Sequence, residues 1–420
     1  MSVLPRHHRV TWQWLLAFVP VSAFATPVTL PQALIAAQDY SAELSASRHQ
    51  ADALDNRAGL AMQLPDPKLK FGIENLPVSG GNTDRFTREG MTMERIGIMQ
   101  DYISSDKRQR KADTLRAESR EVAATRQSIR ARLQREAALA WMEMAIGGQT
   151  VSQLQKLVDE SQHQIGVQRG GVSGGSGGSS LPASVLDARL TLISMQDKLT
   201  EAGRDVQLAR TRLSQLTGIG QPEINGAIPS FTELPAQALQ AGSVEQHPEI
   251  IQARREAEVA QAKSSQSAIA ALPDVGVEVY YGHRADGYED LAGVMFTVDL
   301  PLFTASRQDK DHAADQSMAM ESNDRLAQRV RDHQAQLTSL LTQYQAATTL
   351  WQRQKNDVIP LQQQRISVIQ AQYRAGKSSL NEVLDARRNL IDSQIAERNA
   401  ALEVARYWVA LRYLAPQEIH

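Results

Sequence analysis

The 420-residue sequence contains no cysteine, which excludes disulfides, thiolate nucleophiles and cysteine-based metal sites. Aromatic residues make up only 5%, and 45 Lys plus Arg nearly balance 47 Asp plus Glu. The resulting net charge of -2 gives no electrostatic reason to bind nucleic acid. Beyond the N-terminus, no apolar run approaches the ~20 residues of a spanning helix. An exported chain of this kind is either soluble or crosses a membrane only as β-strands. A phosphate-cradling glycine loop and a Ser-His-Asp order are also missing, so the sequence offers no enzyme and no cofactor site. Two of the nine histidines lie in the leader. The others (His49, His163, His247, His283, His312, His333, His420) show no metal-ligand spacing and read as surface residues, so no metal site is expected. Met91, Met93 and Met99 could suit a soft metal, but thioethers more commonly fill an apolar face.

What is present begins with a leader. Arg6 to Arg9 form a basic region, Trp12 to Ala23 an apolar one, and Ala23-Phe24-Ala25 a small-x-small cleavage site, so residues 1–25 read as a signal peptide. The alternative, a membrane anchor, has too short an apolar run and carries Pro20.

The mature chain then repeats itself. Val185-Leu186-Asp187-Ala188-Arg189 recurs as Val383-Leu384-Asp385-Ala386-Arg387, an offset of 198 residues. Leu64-Pro65-Asp66 recurs as Leu272-Pro273-Asp274. The organisation read from this is a first repeat over 26–217, a Gly/Pro-rich linker over 218–235 and a second repeat over 236–420.

Each repeat carries a pair of alternating segments, within 68–102 and 274–302. Leu69, Phe71 and Ile73 alternate with polar or tiny residues, as do Val275, Val277, Val279 and Tyr281, and Val294, Phe296 and Val298. A period of two with one apolar face is what a barrel strand between lipid and an aqueous lumen requires, although a soluble β-subdomain with one buried face shows it too. In the segment from Gly90 to Tyr102, Met91 and Met93 share one face while Ile96 and Ile98 fall on the other, which predicts a bulge near Glu94 or leaves the facing open. The basic patches at 107–111 and 307–310 suit either headgroup anchoring or a solvated first helical turn.

The rest reads as helix, with one opening helix per repeat over 31–63 and 243–271. The stretches from Ser105 and from Ser306 each span roughly 100 Å at 1.5 Å per residue. Helices that long have to lie along partners. From Val185 the heptad positions Val185, Leu192, Leu199, Val206, Leu213 and Ala188, Met195, Ala202, Ala209, Leu216 are all apolar. From Val383 eight of ten are, with Ser393 and Glu397 as exceptions.

Signal peptide, duplication, strand pair plus long helical hairpin, and the run from Tyr373-Arg374-Ala375-Gly376-Lys377 to Val383-Leu384-Asp385-Ala386-Arg387 together resemble the TolC family of outer-membrane efflux channels. The Leu64-Pro65-Asp66-Pro67 and Gly72-Ile73-Glu74-Asn75-Leu76-Pro77 segments, with Met91-Thr92-Met93, are similar to its heavy-metal efflux branch, the CzcC/CusC-like channels. The resemblance implies a mainly α fold with a transmembrane β part: a trimeric α-barrel/β-barrel to which each protomer gives four strands. It implies a homotrimer in the outer-membrane lipid of a Gram-negative bacterium, extending into the periplasm, with a periplasmic adaptor and an inner-membrane RND-type pump as partners. The cargo it implies is heavy-metal cations. Drugs or a secreted polypeptide are alternatives, and a pore-less coiled-coil adaptor is the rival of another class.

The resemblance also places a gate at the periplasmic tip, near the turns 169–182 and 375–380. Glu382 and Asp385 match constricting acids, Asp187 of the first repeat is placed at the tip with them, and Tyr373 matches a tyrosine of the closed gate. The family's inter-helix ion pair falls on Ser184 and Ser378, with Lys377 as a substitute cation. Adaptor docking falls on Gly376 and on Val185, Leu186, Ala188, Arg189, Val383, Leu384, Ala386 and Arg387.

Overall fold

The structure, a computed structural model, describes residues 26–85, 90–172, 183–233, 244–285 and 287–418, without side chains for 167–172 and 183–185. The expected leader, residues 173–182 of the expected turn at 169–182 and the start of the second repeat at 236 lie outside these residues.

The chain opens with β1 (Thr26–Val28), α1 (Leu30–Asp39) and α2 (Ala42–Ala61). Thr29 caps α1 in a reciprocal pair with Gln32, and Pro31 sits in the first turn, where its missing N–H costs nothing. One opening helix was expected here and there are two. The break falls at Tyr40 because Ser41 takes an extended conformation and its hydroxyl accepts the Leu44 amide, starting a new helix.

Strands β2 (Lys68–Glu74) and β3 (Met93–Tyr102) lead into α3 (Ser105–Val172), which returns as α4 (Ala183–Thr217). After β4 (Pro222–Ile224), the order recurs as α5 (Pro248–Ser267), β5 (Val275–Arg284), β6 (Leu291–Val298), α6 (Gln308–Arg353), α7 (Ile359–Arg374) and α8 (Leu380–Arg412). A π-helical turn, Gln354–Val358, separates α6 from α7. Pro360 lies just beyond it; a proline cannot donate back to the carbonyl four residues earlier, and the helix absorbs the mismatch by widening.

The four longer strands form one antiparallel sheet in the order β2-β3-β5-β6. Lys107 pairs with Asp274 at 3.0 Å, and Arg108 donates to the carbonyls of Ile103 and Met62. These two cations of the first basic patch therefore brace the sheet-to-helix junction rather than standing free for headgroups.

At the far side of the junction, the helices share a core of Trp141, Met142, Leu213, Tyr344, Trp351, Val404 and Trp408 with the β1–β4 pair against it. Its polar tips are satisfied: Trp141 Nε1 donates to the Val28 carbonyl at 2.9 Å, Tyr344 to Phe231 at 2.8 Å, and Trp408 to Glu233 at 3.1 Å. Glu397, an exception in the second heptad series, accepts the Trp351 indole at 2.6 Å. Toward α4's first turns the seam continues through Leu154, Val158, Met195, Ala202 and Ile391. Full burial of each large aliphatic side chain contributes about 1.5–3 kcal/mol.

Candidate functional site

Directly opposed residues of an antiparallel pair lie on the same face. The register aligns Phe71, Ile96, Tyr281 and Ala292 across the sheet, then Leu69, Ile98, Val279 and Val294 beside them. Val277 and Phe296, then Val275 and Val298, continue the same face, as does Ile73. One face is thus mostly apolar, with Gln100, Glu94 and His283 as its polar members, and it is uncovered: Phe71 is 81% exposed. Leu300, Leu302 and Phe303 extend this exposed apolar surface past β6.

The facing of β3 corrects the sequence expectation. Its pairing runs unbroken from Met93 to Tyr102 with no bulge at Glu94. Ile96 and Ile98 belong to the apolar face, and Met93 and Met99 to the other.

That other face carries charge. Lys70 and Arg95 both reach Glu278, at 2.8 and 2.7 Å, and Arg95 also bonds Glu74. The Arg95 guanidinium lies 3.7 Å over the Tyr280 ring. Small residues make room for this layer: a Cβ on Gly293 would sit 2.5 Å from the Tyr280 hydroxyl. A sheet with one bare apolar face and one charged, ion-paired face is suited to a boundary between hydrocarbon and water. Both of its edges, β2 and β6, lack a partner among the described residues. No helix among the described residues is long and apolar enough to cross a membrane.

The opposite end of α3 meets the start of α4, the end of α7 and the start of α8. Ile165, Ala188, Leu380 and Leu384 cluster there, with Tyr373 and Leu192 packed against them. The α7–α8 turn closes on Gly376 at φ +69°, with the Lys377 amide donating to the Gln372 carbonyl at 2.8 Å. Ser379 caps α8 by accepting the Glu382 amide, and the Ser378 hydroxyl donates to the Glu382 carboxylate. Glu382, Asp385 and Asp187 are all exposed, Asp385 beside Arg388 at 3.5 Å. Lys377 is exposed and makes no ion pair among the described residues, and the side chains of Ser184 and Val185 are not among them.

The sequence missed where the helices are tied by charge. Arg398 of α8 meets Asp205 of α4 at 2.9 Å, and Lys198 pairs with Asp392 between the same two helices. The two ties lie farther along the hairpins than the turn at 375–380.

Several expected docking residues need correction. Val383, Leu384, Ala386 and Ala188 are buried in the protomer's own seam, and Arg387 is buried with its guanidinium 3.3 Å from the Ser161 hydroxyl and 3.7 Å from Glu160. Burial pulls the Arg387 pKa below the ordinary arginine range. Side chains buried inside the protomer offer no surface to a partner. Leu186, Arg189 and Gly376 keep accessible surface.

The histidines also depart from expectation. His247 and His333 are buried, not surface residues, with rings 3.8 Å apart, and Glu249 joins them so that one donor atom from each lies within 4.8 Å of the others. Burial, with His333 and Arg135 nearby, pushes the His247 pKa down to about 3, so the ring is neutral. No sequence spacing could show this, because α5 and α6 bring together residues far apart in the chain.

No family model matches the chain. The cobalt-zinc-cadmium resistance protein CzcC of Cupriavidus metallidurans is 23% identical over 374 residues, 88% of this chain and 86% of that protein. The outer membrane protein VceC of Vibrio cholerae superposes with a TM-score of 0.72 at 16% identity, over 93% of this chain and 97% of its own. CusC, solved in a study of transmembrane channel formation, gives 0.68 at 16% identity over 98% and 99%. The fold is that of the TolC-like outer-membrane channels, as the resemblance implied.

Proposed function

We propose that this chain is the outer-membrane subunit of a tripartite efflux system, acting as a passive, gated exit duct for heavy-metal cations. The observation that carries the reading is the sheet: an exposed apolar face, a charged opposite face and two open edges on one four-stranded unit. Unpaired edges inside hydrocarbon are prohibitive, so the unit has to close with copies of itself. Three copies in cyclic symmetry would give a twelve-stranded barrel, three times the four strands here. The long helices would continue it into the periplasm as a tube.

A periplasmic adaptor and an inner-membrane RND-type pump are the partners this architecture calls for. The adaptor biases the tip helices toward a dilated state, and transport through the duct is diffusion. At the tip, three-fold symmetry would turn Glu382, Asp385 and Asp187 into acidic rings that favour cations. Docking falls to the accessible Leu186, Arg189 and Gly376. The similarity to CzcC, whose name specifies cobalt, zinc and cadmium, supports metal cargo over drugs or polypeptides.

The test is reconstitution. The purified chain is expected to need detergent, to run as a trimer and to conduct ions in a planar bilayer. A detergent-free monomer without conductance would overturn the proposal.

A further inference from the structure

The His247, Glu249 and His333 cluster has no part in the duct mechanism, and its geometry is unusual for a purely structural contact. His247 is the N-cap of α5, its Nδ1 accepting the Glu249 amide at 3.3 Å. Glu249 follows two residues later and is exposed. His333 reaches the pair from α6 and is itself buried. Two imidazoles and a carboxylate thus converge from two helices, with one donor atom of each within 4.8 Å of the others.

We propose that His247, Glu249 and His333 form a binding site for one divalent cation of the zinc or cobalt class, clamping the start of α5 to α6. Two imidazoles with one carboxylate suit a borderline cation, whereas calcium and magnesium want all-oxygen shells and monovalent copper wants sulfur. Tetrahedral bonds of about 2.0–2.1 Å set donors roughly 3.3 Å apart. The closing movement needed is small and falls mainly on the exposed Glu249. At His247 the metal takes the Nδ1 lone pair now spent on the long hydrogen bond from the Glu249 amide. Three protein donors leave a coordination position for water.

Arg135 opposes the cation. It lies close enough to act electrostatically on both histidines, and its guanidinium is held by the Tyr413 carbonyl at 3.2 Å. Affinity is therefore moderate in the native chain and rises when that charge is removed.

The inference stands apart from the channel reading, and its test uses no transport assay. The full chain in detergent, stripped with chelator, is titrated with zinc alone by calorimetry and with cobalt alone by visible absorption. One saturable site per protomer, a cobalt spectrum of low coordination number and a zinc-dependent rise in Tm are expected. His247→Asn keeps an N-cap acceptor but removes the imidazole. It and Glu249→Gln should each weaken zinc by about tenfold or more, and Arg135→Gln should tighten it. His333→Gln should abolish the Tm rise. Should His333→Gln fail to fold, the exposed Glu249 and the cap-preserving His247 substitution still decide the matter. No saturable binding, or unchanged affinity in both of those variants, overturns the site, while bilayer conductance of the metal-free protein judges the channel separately.

Discussion

Lys70 and Glu278, 208 residues apart in sequence, meet at 2.8 Å on the charged face of the sheet although their strands are not neighbours. Strand β3 lies between them, and the residue aligned with Lys70 there is Gly97. A Cβ on Gly97 would come within 2.9 Å of the Tyr280 Cβ and 3.1 Å of the Glu278 carboxylate. The glycine is what lets a β2 lysine reach across to a β5 carboxylate, tying the two repeats together inside one sheet.

Gly97→Val should accordingly break the contact and reduce trimer assembly. Gly72→Ala is the control, since nothing lies within 4 Å of its added carbon. Semi-native electrophoresis of the two variants reads the difference, and equal trimer yields would contradict the role given to Gly97.

Substitutions on the two faces should have opposite consequences. Phe71→Lys places an ammonium on the apolar face, where a charge costs ~2–4 kcal/mol at mid-bilayer, and should block outer-membrane insertion. Thr297→Lys lies on the charged face, opposite Gly276, and should insert normally while lowering cation selectivity. Membrane fractionation followed by bilayer recording tests both.

At the tip, Leu384 is fully buried against Ile165, Ala188 and Leu380. Leu384→Ala should destabilise this cluster by about 2–5 kcal/mol. If this packing holds the gate closed, as the proposed function implies, larger single-channel conductance and antibiotic leakage are the expected readouts. Leu186→Glu, on an exposed position, should leave conductance unchanged and weaken coupling to the adaptor.

Glu143 gives a pH dependence. Burial raises its carboxyl pKa above the ordinary value, against the opposing pull of Arg212 and Arg406 and with help from Asp205. A raised folded-state pKa means a contribution fully present below the unfolded pKa and lost as pH rises through the folded one. Glu143→Gln should therefore raise Tm at neutral and alkaline pH. The gain should shrink as the buffer is taken down into the usual carboxylate range, and a gain independent of pH would contradict the assignment.

Periodicity is a local property, and where the chain follows it the sequence was sufficient. The alternation at Leu69, Phe71 and Ile73 and from Val275 to Tyr281 reappears as one apolar face, and the heptads from Val185 and Val383 as helix seams. The leader and the turn expected over 169–182 rest on sequence alone. Contacts between distant segments were decided only in three dimensions. The facing of β3 depended on its partners: Ile96 is fixed by Phe71 and Tyr281, whereas its own sequence fits two faces. The burial of Arg387 and Leu384 depended on α3 lying over them, and the meeting of His247 with His333 on α5 lying along α6. A residue's period shows which face it occupies on its own element, but what covers that face depends on how the rest of the chain folds back.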